Sequence, residues 1–353
     1  MGLCPTPRQR TTSSGLLFAF IKKQKGVQRT QSFGGVWGEA PSNEEYTKFM
    51  ARFAVICAAG IGDALILEIA SHHLRLQGHE VVTFSDHLSG FGKWLPKAVC
   101  EKQPKPEEVE GRLKEFDAIL VQHDNTEKAR SILKLRPKKE VYTLYTNYRE
   151  SKHGPLWADC DVVFDESLTM VANVKRALKE LFLIDAGEGG NGLEKPEGVE
   201  YRKYGKRVII HPTSTVSWKN WPKAKFLRVA EWLRDQGYDP AIVTSPAERK
   251  EWNSADLPQL EDLASFLYES GAFLGNDSGP GHLASYFGLP YLIIGRQERQ
   301  MKLWRPGWHP GNVVTAPSWV PNWKGWRVRD EKWQMFISPR KVIKELRKSI
   351  LNN

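Results

Sequence analysis

From Phe53 onward, short apolar runs alternate with stretches whose apolar residues recur at helical spacing. Phe53-Ala54-Val55-Ile56-Cys57 is an unbroken apolar run that ends in small residues and glycines, the pattern of a strand buried on both faces. Gly60-Ile61-Gly62-Asp63 reads as a turn. A helix follows over 64–76, with Leu65, Ile69, His72 or His73 and Leu76 on one face, and Gly78 closes it. Further strands are predicted over 80–84, 116–121 and 141–145. Strands that alternate with helices predict an α/β fold with a parallel, doubly wound sheet.

The span 186–205 breaks this pattern. It is rich in Gly, Glu, Lys and Pro, has no periodicity, and reads as a linker. A second α/β pattern then restarts, with strands over 207–211, 240–244, 272–275 and 291–294 and helices over 224–235, 260–269 and 282–287. Ser338 as N-cap and Pro339 in the first turn open a last helix over 339–351. The expected organisation is a basic, disordered extension over 1–49, a Rossmann-like domain over 50–185, the linker, a second Rossmann-like domain over 206–337, and a C-terminal helix over 338–353. Two such domains on one linker face each other across a cleft.

Composition narrows the partners. The 353 residues suffice for two domains that each bury a core, and no apolar run approaches the roughly 20 residues that span a bilayer. A net charge of +10 fits either solubility with a basic tail or an anionic partner, such as a nucleotide, an acidic glycolipid or nucleic acid. No RNP motif or paired Cys/His cluster accompanies the charge, so nucleic acid is not expected. Cys4, Cys57, Cys100 and Cys160 form no C-x-x-C pair. They are expected to be buried free thiols, and no structural metal is expected.

Residues 1–38 carry basic residues and no acid. Their composition fits an organellar transit peptide better than a secretory signal, and Met1-Gly2 with Thr6 also matches the loose myristoylation pattern. The simplest expectation is a domain that begins at Met50. Residues 304–333 hold six of the thirteen tryptophans. They read either as a loop packed on the second domain or as an acceptor-facing or membrane-surface patch.

The strongest chemical motif follows the strand at Phe273: Asn276-Asp277-Ser278-Gly279-Pro280-Gly281-His282, with a helix after it. Glycines let the backbone approach a ligand, Pro280 suits the first helical turn, and a helix start attracts a diphosphate. The plainer alternative is a tight turn in which Asp277 or Ser278 caps the helix.

This segment, with Leu283-Ala284-Ser285-Tyr286-Phe287-Gly288-Leu289-Pro290 after it, resembles the D-[ST]-G-x-x-H-L-A…G-x-P signature of glycosyltransferase family 9, the heptosyltransferases. Ser214-Thr215 with Lys219-Asn220-Trp221-Pro222, the acidic segment Thr244-Ser245-Pro246-Ala247-Glu248, and Gly62-Asp63 are similar to other stretches of that family. The resemblance covers about 53–350.

It implies a GT-B fold, with the first domain on the acceptor side and the second on the nucleotide-sugar side. It implies an inverting, metal-independent transfer without a cofactor, from a nucleotide-diphosphate sugar, ADP-heptose among the donors, to a lipopolysaccharide-like glycolipid or oligosaccharide. By the same resemblance, Asp63 is the general base and Lys219 offsets charge on the leaving diphosphate. Ser214 and Thr215 bind the phosphates, Ser278, Gly279, Pro280, Gly281 and His282 cradle them, Glu248 takes the ribose, Leu260 lies near the base, and Asp277 faces the sugar or orients the loop.

Each residue also has a plain reading: Asp63 as a helix cap, Lys219 as a solvated lysine, Glu248 as a helix-start acid, His282 as a structural histidine. The place is expected to be the cytoplasm, at the inner face of the cytoplasmic membrane with peripheral contact. Two departures stand out. Leu67-Glu68-Ile69 occupies the region of a common Thr-Pro, and Arg296-Gln297-Glu298-Arg299 replaces a Gly-Pro-Thr-Asp-like turn. The alternative function is a non-catalytic protein that binds a nucleotide sugar.

Overall fold

A computed structural model describes residues 50–214, 216–323 and 327–351. The expectations for 1–49 and for Thr215 lie outside the described residues.

Two parallel sheets form the framework. The first contains β1 (Arg52–Ile56), β2 (Glu80–Phe84), β3 (Val99–Glu101), β4 (Ala118–His123), β5 (Glu140–Tyr145) and β6 (Asp161–Val163), in the order β3-β2-β1-β4-β5-β6. The second contains β7 (Tyr204–His211), β8 (Asp239–Ile242), β9 (Ser270–Asn276), β10 (Tyr291–Ile294) and β11 (Asn312–Val314), in the order β11-β10-β9-β7-β8. Strand order therefore reverses between β1 and β4, and again between β7 and β9. In open parallel sheets the crevice beyond the strand ends at such a reversal is where ligands bind.

The period-2 side-chain alternation of a strand sorts the core. Phe53, Val55 and Cys57 of β1 point into an apolar cluster that runs through both domains and also takes in Ile209, Phe273, Leu283 and Ile293. Ala54 and Ile56 point the other way, to Val82, Phe84 and Ile119. The outer face of the second sheet has its own cluster around Ile210, Phe226, Leu274 and Trp333. The inner faces of the two domains thus share one core.

Four helices matter for the site: α1 (Ile61–Leu76), α2 (Met170–Phe182), α3 (Leu260–Tyr268) and α4 (Gly279–Tyr286). α1 starts earlier than the sequence predicts. Gly60 is its N-cap, so Gly62 and Asp63 belong to its first turn. α4 likewise starts at Gly279, three residues before the predicted 282. α2 goes beyond the sequence reading, although Thr169 N-caps it by accepting from Ala172 N at 3.2 Å. The three-residue strands β3, β6 and β11 are also additional; at that length no periodicity can develop. The last helix is Pro339–Leu346, capped by Ser338, and continues as a wider π-type turn over Arg347–Leu351.

The span read as a linker is a packed strap. Asn191 is buried and donates to Leu65 O at 2.8 Å. A Cβ on Gly190 would stand 2.6 Å from the Tyr286 hydroxyl, and one on Gly189 would stand 2.6 Å from the His73 ring. Gly189, Gly190 and Gly192 are there because this part of the strap runs tightly between α1 and α4.

Cys57 and Cys100 are free, as expected, whereas Cys160 is not among the free thiols, so the expectation does not hold there; the expectation for Cys4 lies outside the described residues. In the tryptophan-rich region the described rings support the packed-loop reading in part. Trp333 is buried and Trp304 and Trp308 pack against the shared core, whereas Trp319 and Trp323 are exposed. Among the described residues, no helix is long and apolar enough to cross a membrane.

Trp94 is the first domain's largest side chain at the shared core. Its ring lies 5.4 Å from Tyr268 and 4.9 Å from Phe287, both of the second domain, and its Nε1 donates to Ser265 Oγ at 3.3 Å. Trp94→Ala is expected to cost about 3–5 kcal/mol of unfolding free energy. Trp319→Ala, at an exposed site, is expected to change it by less than about 0.5 kcal/mol. Denaturant melts of both variants check this.

Candidate functional site

The first wall forms where β1 and β4 end. Asp63, in the first turn of α1, accepts a hydrogen bond at Oδ1 from Gln122 Nε2 at 2.6 Å, and Gln122 is a buried residue of β4. The other oxygen folds back over Gly60, where a Cβ would stand 2.7 Å from Oδ2. Burial raises the Asp63 pKa, Asp124 adds to the rise, and the Gln122 bond opposes it. A raised pKa makes the carboxylate a better proton acceptor. Lys128 fixes the strand end below: its buried Nζ donates to Cys57 O at 3.1 Å and to Gln103, and lies 3.8 Å from Asp124.

The second wall forms where β7 and β9 end. Asn276, buried at the end of β9, accepts from Trp221 N at 3.1 Å and donates to Pro212 O at 2.5 Å. One side chain thereby ties down both ends of the loop that carries Ser214 and Lys219. Ser214 Oγ lies 2.7 Å from Asn220 Oδ1 and 3.2 Å from Val216 O, so it also orders this loop. Lys219 is exposed at the end of a short turn, Ser217–Lys219, with Nζ 5.8 Å from the Trp218 ring.

Asp277 follows Asn276 into the cleft. Burial pushes its pKa up to about 6; Lys219 pulls it back and Asp63 pushes it further up. Asp277 therefore senses Asp63 across the domain boundary. Ser278 is the N-cap of α4 by backbone position, but its hydroxyl turns back to Asn276 O at 3.1 Å and does not cap. The capping alternative read from the sequence is thus not taken up by the Ser278 side chain. The N-cap of α1, Gly60, also has no side-chain cap. Helix starts left in this state attract anions.

The two helix starts touch each other. A Cβ on Gly62 would stand 2.8 Å from His282 Cδ2, and one on Gly279 would stand 2.9 Å from Ile61 Cβ. His282 is buried against this contact, with its ring 6.1 Å from Trp308. Burial pushes its pKa down to about 4, so it is neutral near pH 7, and its Nδ1 has no partner among the described residues.

Glu248 stands at the β8 side, where its Oε2 accepts from Thr213 Oγ1 at 3.0 Å and Ser245 Oγ at 2.6 Å. Leu260, the first residue of α3, is engaged at the domain contact. A Cβ on Gly90 would stand 3.2 Å from its Cδ1. The structure thus gathers Asp63 and the residues from Asp277 to His282, with Lys219 beside Asp277 and Ser214 in the Lys219 loop. Glu248 lies one strand along. Sequence reasoning missed Gln122, Lys128 and Gln103, and it quoted Asn276 without a role. Among the described residues, no three His, Cys, Asp or Glu side chains are grouped to hold a metal ion.

Residues 191–294, which contain the second wall, match the family model of glycosyltransferase family 9 (heptosyltransferase). Lipopolysaccharide heptosyltransferase 3 of Escherichia coli K12 is 26% identical over 140 residues, which are 35% of this chain and 39% of that protein. The alignment thus spans about two fifths of that relative's length. Among solved structures, E. coli ADP-heptose LPS heptosyltransferase II superposes with a TM-score of 0.62 at 16% identity, over 85% of this chain and 99% of that one. E. coli heptosyltransferase WaaC with ADP-2-deoxy-2-fluoro heptose gives 0.57 at 13% identity, over 84% and 99%. The fold is GT-B, as expected, and the resemblance read from the sequence points to the same family as these matches.

Asp277 makes stability depend on pH. An unfolded aspartate titrates near about 3.9, and Asp277 in the folded chain near about 6. The folded state holds the extra proton between these values, so this contribution is full below the lower pKa and is lost as pH rises through the upper one. Asp277→Asn is therefore expected to be more stable than the parent by on the order of 2–3 kcal/mol at about pH 8, and equal to it at about pH 3. Denaturant melts at the two pH values check this.

Proposed function

We propose that this chain is an inverting, metal-independent glycosyltransferase that moves a sugar from a nucleoside-diphosphate donor to a glycolipid or oligosaccharide acceptor. The observation that carries this reading is the meeting of two uncapped helix starts, one from each domain, with Asp63 on one, Asp277 beside the other, and Lys219 within electrostatic reach. A diphosphate fits the start of α4 and the Lys219 loop, and the acceptor hydroxyl approaches from the Asp63 side.

In the displacement, the acceptor oxygen bonds to the anomeric carbon as that carbon's bond to the diphosphate breaks. The hydroxyl proton passes to Asp63, and the negative charge leaves with the diphosphate, where Lys219 and the α4 start offset it. One displacement inverts the anomeric centre. Ser214 and Thr215 serve the phosphates, Glu248 the ribose, and Leu260 the base side. Asp277 orients the sugar.

The family match and the heptosyltransferases it resembles support an ADP-linked sugar as donor and a lipopolysaccharide-like acceptor. A lipid-linked acceptor places the reaction at the inner face of the cytoplasmic membrane. Melting curves of the full chain with ADP, UDP, GDP and CDP test the reading. A diphosphate at about 100 times its dissociation constant adds about 2.7 kcal/mol of stability. The expected result is an upward shift with one of them that is lost in Lys219→Ala. No shift with any of the four contradicts it.

A further inference from the structure

The turn after β10 carries a cation that the mechanism above does not use. Arg296 stands two residues beyond the end of β10, half-buried, with its guanidinium carbon 5.0 Å from the Trp218 ring centroid. The same indole has Lys219 Nζ 5.8 Å away. Trp218 is otherwise half exposed, and Gln334 Nε2 holds its backbone by donating to Trp218 O at 2.8 Å. One half-exposed indole therefore carries two cations.

These cations have different employment. Lys219 acts on Asp277. Arg296 has no ion-pair partner among the described residues, because the groups beside it in the chain are engaged elsewhere: Arg299 with Glu166 at 2.6 Å, and Gln297 with Asp330. A cation that rests on an aromatic face with its N–H groups unclaimed is ready for an incoming carboxylate, which a guanidinium can bind with two parallel bonds.

Strand order says which part of a ligand reaches it. β8 lies beside β7, β7 beside β9, and β9 beside β10, with Ile242 level with Ile210 and Ile294 level with Asn276. The residues that leave these strand ends run in the same order: Glu248, Ser214, Asp277, Arg296. A nucleotide sugar with its ribose at Glu248 and its diphosphate at Ser214 and α4 extends its sugar toward β10.

We propose that Arg296, held on Trp218, is a specificity-determining residue that selects a donor whose transferred sugar carries an acidic group, such as the carboxylate of a uronic acid. The inference rests on the donor-site reading above and adds the substrate class.

The test is calorimetric binding to the full chain and to Arg296→Gln, with pairs that differ only in the sugar's charge: UDP-glucose and UDP-glucuronate, ADP-glucose and ADP-glucuronate, GDP-mannose and GDP-mannuronate. For the nucleotide that binds, the acidic sugar is expected to bind about tenfold or more tighter than the neutral one. Arg296→Gln is expected to erase that ratio and leave the neutral sugar's affinity in place. An equal or reversed preference in the parent overturns the proposal. So does a ratio that survives in Arg296→Gln, or an equal loss for both sugars, which would make Arg296 one more phosphate-binding cation. In these outcomes the nucleotide still binds and the donor-site reading stands. If no nucleotide of the three pairs binds and no diphosphate shifts the melt, CDP included, the donor-site reading fails and the proposal falls with it; if CDP alone shifts the melt, CDP-glucose and CDP-glucuronate replace the three pairs.

Discussion

The contact between Gly62 and His282, and between Gly279 and Ile61, is the constraint on which the rest of the site depends. A side chain at either glycine would push the two helix starts apart. Their closeness brings together two positive helix ends from different domains. Each brings a carboxylate with it, Asp63 on α1 and Asp277 just before α4. Burial at the boundary disfavours charge on both, and Asp63 raises the Asp277 pKa further. The result is a cleft floor with two carboxylates of raised pKa and the Lys219 cation within electrostatic reach of Asp277, the arrangement on which the proposed transfer rests.

The same contact explains why the strap over 186–205 is rich in glycine. It has to pass between His72, His73 and Tyr286 while Asn191 bonds to α1. With the inner core running through both domains, the strap and Trp94 hold the relative position of the two sheets, and that position sets the distance between Asp63 and Asp277. A change that loosens the domain boundary would therefore disturb both the stability of the fold and the geometry of the site.

Much of this was legible in the chain itself. The continuous apolar run of β1, the Phe273 strand and the glycine-proline helix start after it were all local patterns that led to a parallel α/β reading, and the GT-B expectation came from the family resemblance of the second domain's motifs. What stayed hidden was non-local. Gln122 reaches Asp63 and Lys128 reaches Cys57 O from a distant strand and helix, and such polar pairings leave no periodic trace. Gly62 meeting His282 has no sequence signal beyond a glycine that also suits a turn. The start of α1 was misplaced because glycines at 60 and 62 read as a turn, whereas Gly60 serves as an N-cap with β-region dihedrals. The tryptophan-rich segment admitted two readings because composition does not say which rings face inward; Trp304, Trp308 and Trp333 do, and Trp319 and Trp323 do not.

The central claim is that Asp63 takes the acceptor's proton while the second domain holds the diphosphate. The most direct measurement is the transfer rate of Asp63→Asn with the nucleotide sugar and acceptor that the parent uses, alongside its affinity for the nucleoside diphosphate. The account expects turnover to fall by about 10²–10⁴ with diphosphate affinity retained. Turnover within a fewfold of the parent would contradict it and leave Asp63 as a residue of the α1 first turn without a part in the chemistry.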